Sequence, residues 1–262
     1  MNEHLEFAKE LAEEAGEIMT RYFSAEDIGT KWKEDDTPLT VADTMINDLV
    51  IDRVKSSFPD HGILGEEASY EEEREYIWVV DPIDGTIPFS LAIPLSTFSL
   101  ALVNREDGQP VVGVIFDPFL KRLYSACKGK GARLNNHAIK TSSQEKLSRS
   151  YVSVIGSFDR DIGTGNIIEA LRNEGAKSFS IQSQAYAASR VASGELIGSI
   201  FGYGSPWDSA AAALIVGEAG GVVTDLKGKQ RRYDKFEDGC LLAANDKVYK
   251  ELLRIMNENY RD

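Results

Sequence analysis

Apolar residues at the start of the chain recur at helical spacing. Leu5, Ala8, Leu11, Ala12, Ala15, Ile18, Met19 and Tyr22 fall on one face of a 3.6-residue repeat, which predicts an amphipathic helix. A second helix is predicted from Thr40, carrying Val41, Met45, Ile46, Leu49, Val50 and Val54 before Pro59. Thr40 with Asp43 three residues on reads as an N-cap with an acid in the first turn. Between Tyr76 and Cys127 the pattern changes to short apolar runs, and 77–80, 97–103, 111–116 and 122–127 read as strands. The connectors 104–110 and Asp117-Pro118 carry turn chemistry, so an antiparallel meander is expected. Beyond Tyr151 strands (151–155, 177–181, 196–201, 222–226) alternate with helices (165–173, 185–193, 206–219). That alternation favours a sheet covered by helices. The expected division is an N-terminal α+β lobe, 1–145, and a C-terminal α/β lobe, 146–262, with no visible linker between them.

Acidic residues collect where these elements begin or end. The run 77–80 stops at Asp81-Pro82-Ile83-Asp84-Gly85, whose residues suit a tight turn of type I, with Asp81 first and Pro82 second. Glu66 and Glu67 follow Ile63-Leu64-Gly65; Asp43 opens the second helix; Asp208 follows Gly204-Ser205-Pro206-Trp207 at the start of another. Each acid also has a structural reading. Ser205, Pro206 and Asp208 make a helix start, Asp43 serves its own helix in the same way, and Glu67 adjoins a solvated acidic run. Together they suggest a hard divalent cation, because Mg²⁺ takes carboxylates, a carbonyl and water. Asp81 and Asp84 on one rigid segment, with the Ile83 carbonyl between them, could serve two ions ~3.5–4 Å apart. His4, His61 and His137 show no metal-ligand spacing, which argues against a zinc-type site.

The chain has 262 residues, 42% of them hydrophobic, enough for a sizeable core in one domain or two packed lobes. Two cysteines, Cys127 and Cys240, are too few for a disulfide framework. The acidic, amphipathic N-terminus is not a signal peptide, and no apolar run nears the roughly 18 residues that span a membrane. A cytoplasmic location is therefore expected. A net charge of −13 repels nucleic acid and anionic membranes, so neither is expected as a partner. The same field repels a phosphorylated substrate unless cations reverse it at the site.

Gly65-Glu66-Glu67, the stretch from Trp78 to Thr86, Trp207-Asp208 and Glu218-Ala219-Gly220-Gly221 closely resemble the inositol monophosphatase family. Lys33 to Asp43, Ile93-Pro94-Leu95 and Gly113 to Pro118 support the likeness, which runs in order through nearly the whole chain. The resemblance implies a layered αβαβα sandwich, a homodimer, and a Mg²⁺-dependent phosphomonoesterase acting on a small phosphorylated metabolite. It implies two or three ions per subunit. Glu66, Asp81 and the Ile83 carbonyl would hold the first, Asp81, Asp84 and Asp208 the second, and Asp43 would support a third through water. Thr86 with Glu66 would orient the attacking water, and the Gly85 and Thr86 amides would contact phosphate.

The substrate side departs from the family pattern. Ile87-Pro88-Phe89 replaces the usual Asn before Phe, and Gln182-Ser183-Gln184 replaces a glycine-rich stretch. Phe201 aligns with the acid that binds inositol hydroxyls in the animal enzymes. The substrate-contacting set expected on this basis is Gly85, Thr86, Gln182, Ser183, Phe201 and Asp208. Inositol-phosphatase-like hydrolysis is the leading expectation, with a fructose-1,6-bisphosphatase or another sugar or nucleotide phosphatase as the alternative. A histidinol-phosphatase is disfavoured because no carboxylate lies between Gly198 and Pro206 to meet its amine. Arg190, Arg160 and Lys177 are candidates to meet a second phosphate, against the plainer reading that each is a solvated surface charge. A regulatory protein-binding homologue with a vestigial site is the non-enzymatic alternative.

Overall fold

The computed structural model describes residues 1–23, 31–32, 38–156, 162–237 and 239–261. Helices α1 (Asn2–Tyr22) and α2 (Val41–Ser57) lie against one face of a seven-stranded sheet. That sheet has the order β3 (Gly62–Gly65), β4 (Tyr76–Asp84), β5 (Thr97–Asn104), β6 (Gln109–Asp117), β7 (Arg122–Cys127), β8 (Ala132–Leu134), β9 (His137–Ala138). Only the β3–β4 pair is parallel; the rest is the expected antiparallel meander. A separate ribbon pairs β1 (Lys31–Trp32) with β2 (Pro38–Leu39). The short helix α3 (Thr86–Ser90) follows β4 directly.

Helices α5 (Gln184–Ala192) and α6 (Pro206–Glu218) form the middle layer, packed against both sheets. The second sheet has β10 (Tyr151–Ile155), β11 (Lys177–Phe179), β12 (Gly198–Phe201), β13 (Val222–Thr224) and β14 (Cys240–Ala243) in the order β11-β10-β12-β14-β13. Helices α4 (Thr164–Asn173) and α7 (Asp246–Asn259) close its outer face. The molecule is thus an αβαβα stack.

Three hydrophobic cores fill the spaces between layers, and strand periodicity assigns residues to them. Trp78 and Val80 face α1 and α2, while Ile77 and Val79 face the middle helices. On the second sheet Leu242 points to the middle layer and Leu241 and Ala243 to the outer one. Strands buried on both faces read as continuous apolar runs, which explains why these segments lack polar alternation. Close approach depends on small residues. A Cβ at Gly16 would fall 2.3 Å from the Phe116 ring, so α1 lies directly on β6.

The Asp81–Gly85 segment differs from the expected reversing turn. β4 continues through Asp84, and the register shifts between the pairs Asp81↔Ser99 and Asp84↔Thr97. Pro82 and Ile83 therefore oppose Phe98 alone in a β-bulge, a place where a residue without an N–H is tolerated. The chain turns only at Gly85, with φ 87°. The pattern also left β3, β14 and α7 without an element: β3 and β14 are four residues each, too short for a periodic signal. The face of α7, Val248, Leu252, Ile255 and Met256, does carry helical spacing.

Candidate metal centre

Four elements bring their ends to one place. β4 supplies Asp81 and Asp84, the α6 N-terminus supplies Asp208, and the first turn of α2 supplies Asp43. The Glu66 N–H donates to the Val80 carbonyl at 3.2 Å, extending the β3–β4 ladder and bringing Glu66 alongside Asp81. Ligand oxygens of Asp81, Asp84 and Asp208 lie within 4.8 Å of one another.

The bulge explains how one strand presents two acids. Asp81 Oδ1 accepts the Ile83 N–H at 3.0 Å, and the Thr86 hydroxyl donates to the Ile83 carbonyl at 3.1 Å. The structural readings of Asp43 and Asp208 also hold. Asp43 Oδ2 accepts from Thr40 N at 2.8 Å and Thr40 Oγ1 at 2.5 Å; Asp208 Oδ2 accepts from Ser205 N at 2.7 Å. Each cap occupies one oxygen. Asp43 Oδ1 remains buried with no hydrogen-bond partner among the described residues.

Asp84 is held differently. Its Oδ1 accepts from Gln184 N at 2.9 Å, and its Oδ2 from Ala185 N at 2.9 Å, Thr97 Oγ1 at 3.2 Å and the Ser183 hydroxyl. Ser183 is the N-cap of α5, so the carboxylate sits at a helix N-terminus where negative charge is favoured. Gly85 adjoins this point. A Cβ there would fall 2.9 Å from Ser183 Cβ and 3.0 Å from the Gln182 carbonyl, so glycine is required for space as well as for φ.

The electrostatics are those of crowded like charges. Burial pushes the Asp81 carboxyl well above its usual range, with Glu66, Asp84, Asp208 and Asp43 adding to the rise. Asp208 is pushed up to about 8 by burial and then by Asp84 and Glu66. Asp43 is pushed up to about 7, again by burial first, against the opposing hydrogen bonds of Thr40. Asp84 rises through burial, opposed by Ser183 and the α5 amides. Among the described residues none of these four aspartates forms an ion pair with lysine or arginine. Buried or half-buried carboxylates with no counter-charge among the described residues, an Asp43 oxygen with no partner among them and an all-oxygen donor set fit a hard divalent cation.

The other residues singled out from the sequence fall into two groups. Gly85, Thr86 and Ser183 adjoin the cluster; Gln182 is half-buried and donates from its amide to Ser180 Oγ at 2.6 Å. Phe201 requires a correction. It is fully buried at the end of β12, in the core between the sheets, and is not part of the cleft wall. Arg190 is not a solvated surface charge either. It is 7% exposed, donates to the Tyr124 hydroxyl and lies over the Tyr186 ring at 4.9 Å, which leaves it unsuited to meeting a second phosphate. Lys177 is exposed at the start of β11, and Arg160 lies outside the described residues, as do 33–37 of the supporting stretch Lys33 to Asp43. Sequence reasoning did not single out Thr97, which donates to Asp84, or Tyr203, beside the cluster; a lone Thr in a strand and a lone Tyr in a loop give no local signal.

A model of the inositol monophosphatase family matches residues 1–260. Among curated proteins, the chain is 33% identical to a histidinol-phosphatase of Chlorobaculum parvum, covering 100% of both chains. It is 30% identical to the Nus factor SuhB of Escherichia coli K12, over 100% of this chain and 98% of that protein. Among solved structures, an IMPase of Thermotoga maritima superposes with a TM-score of 0.88 at 28% identity, covering 98% of this chain and 97% of that one.

Proposed function

The chain belongs to the inositol monophosphatase family, and on that premise we propose that it is a Mg²⁺-dependent phosphatase of small phosphate monoesters. The observation that carries this reading is the convergence of Asp81, Asp84 and Asp208 within 4.8 Å, with no lysine or arginine among the described residues paired to them. Glu66, Asp81 and the Ile83 carbonyl are assigned to a first ion, and Asp81, Asp84 and Asp208 to a second. Asp43, whose Oδ1 has no hydrogen-bond partner among the described residues, is assigned to a third through water. When bound, the ions would supply the positive charge that draws in the phosphate group and stabilises its transfer. Asp84 is held in orientation by the α5 amides and Asp208 by its cap.

Thr86 orients the attacking water together with Glu66, its hydroxyl fixed by the bond to the Ile83 carbonyl. The Gly85 and Thr86 amides, at the start of α3, contact the phosphate oxygens. The same reading carries a homodimer, supported by the exposed apolar Ile87, Leu91 and Ile93 in and just after α3. Sugar and cyclitol monophosphates are the leading substrates. Bisphosphates rank lower because Arg190 is committed to Tyr124 and Tyr186.

The test is phosphate release across inositol 1-phosphate, fructose 1,6-bisphosphate, histidinol phosphate and NADP, with Mg²⁺ and with EDTA. Release from a monoester that requires Mg²⁺ is expected. No release from any of them, together with a stable protein partner in a pull-down, would favour the regulatory alternative.

A further inference from the structure

Residues 118–144 carry six cationic side chains, Lys121, Arg122, Lys128, Lys130, Arg133 and Lys140, and no Asp or Glu. This happens in a chain whose acids outnumber its bases by 42 to 29. Three of the six, Lys130, Arg133 and Lys140, line one cavity of about 490 Å³, a size that suits a small molecule. The cavity lies where the β8–β9 hairpin and the segment after it meet the C-terminal end of α6 and the junction of β14 with α7. Asp208 stands in the first turn of α6 and Glu218 at its last residue. At 1.5 Å per residue, the cavity is therefore about 15 Å along the helix from the acidic cluster.

Glu218 is the single acid in the cavity wall among the described residues, and both of its oxygens are engaged. Oε1 accepts the Gly129 N–H at 2.6 Å and Oε2 the Gly131 N–H at 2.7 Å, which ties the loop between β7 and β8 to α6. Among the described residues, Lys130, Arg133 and Lys140 form no ion pair with a carboxylate. Arg133 Nη1 donates to the Asn136 carbonyl at 2.7 Å, so its guanidinium is held on the hairpin. Three like charges around one cavity repel one another, and an anion placed between them relieves that repulsion. Guanidinium and ammonium groups together suit phosphate oxygens. The rest of the wall is partly apolar, with Ala132, Ile139, Ala219 and Ala244.

We propose that this cavity is a second ligand site, separate from the metal centre, for a small molecule that carries phosphate groups on an apolar ring body, the chemistry of a nucleotide. Arg133 and the two lysines meet the phosphates, and the alanine and isoleucine surface meets the body. The proposal stands independently of the phosphatase reading.

Calorimetric titration of ADP and of pyrophosphate into the unaltered chain tests it, in EDTA so that no metal holds phosphate at the acidic cluster. Arg133→Ala and Lys140→Ala remove cavity cations, and both side chains are exposed, so truncation leaves the cores intact. Lys177→Ala removes an exposed cation on β11, outside the cavity. Saturable binding of ADP is expected, weakened by about tenfold or more in each cavity variant and by less than about twofold in Lys177→Ala. Pyrophosphate should bind about tenfold more weakly than ADP, because it leaves the apolar surface uncovered. No saturable binding of ADP at millimolar concentration, affinity unmoved in both cavity variants, or an equal loss in Lys177→Ala would overturn the proposal. Pyrophosphate binding as tightly as ADP would overturn the apolar body and leave a site for inorganic phosphates.

Discussion

Asp43 and Asp208 each combine two roles that the sequence presents as rivals. One carboxylate oxygen of each closes a capping box; Asp208 also belongs to the cluster with Asp81 and Asp84, and Asp43 adds its charge to that of Asp81. The combination has a consequence for stability. In the metal-free protein Asp43 rises from 3.8 to about 7 and Asp208 from 3.8 to about 8, so the folded chain binds these protons more tightly than the unfolded one. Their contribution to stability is complete below the unfolded value and is lost as pH rises through the folded values. Bound Mg²⁺ would replace the lost protons. The gain in Tm on adding Mg²⁺ should therefore grow between about pH 6 and about pH 8.5, measured by thermal melts against EDTA controls. A gain that stays constant or shrinks over that interval contradicts the assignment of these acids to a cation.

At the scale of elements, the helices and the central meander were legible because their apolar periods are long and regular, as α1, α2 and β5 to β7 illustrate. The acids at element ends were legible too, because acids beside Gly, Pro and Ser mark caps and turns. The bulge in β4 was not, since Asp-Pro-x-Asp-Gly serves a turn and a bulge equally well and only pairing with β5 decides between them. Nor was the burial of Phe201, which depends on β12 lying in the middle of the second sheet. Packing between elements leads to a further prediction. Gly16→Ala sets a methyl against the Phe116 ring and should cost about 1–3 kcal/mol, read from denaturant unfolding; an unchanged midpoint would mean α1 does not lie this close to β6.

At the scale of the whole molecule, a chain of net charge −13 must gather a phosphorylated ligand against its own field. The layered stack concentrates part of that negative charge at the meeting point of β4, α2 and α6, where divalent ions would reverse its sign locally. Light scattering should give twice the mass of one chain if the apolar surface at Ile87, Leu91 and Ile93 is covered by a second copy; a monomer at micromolar concentration contradicts the homodimer. The most direct test of the metal centre is the initial rate of phosphate release against Mg²⁺ concentration for the unaltered chain, Asp84→Asn and Asp208→Asn. Saturable dependence on Mg²⁺ is expected for the unaltered chain, with both variants reduced by about a hundredfold or more. Full activity in both variants, or release that persists in EDTA, would contradict it.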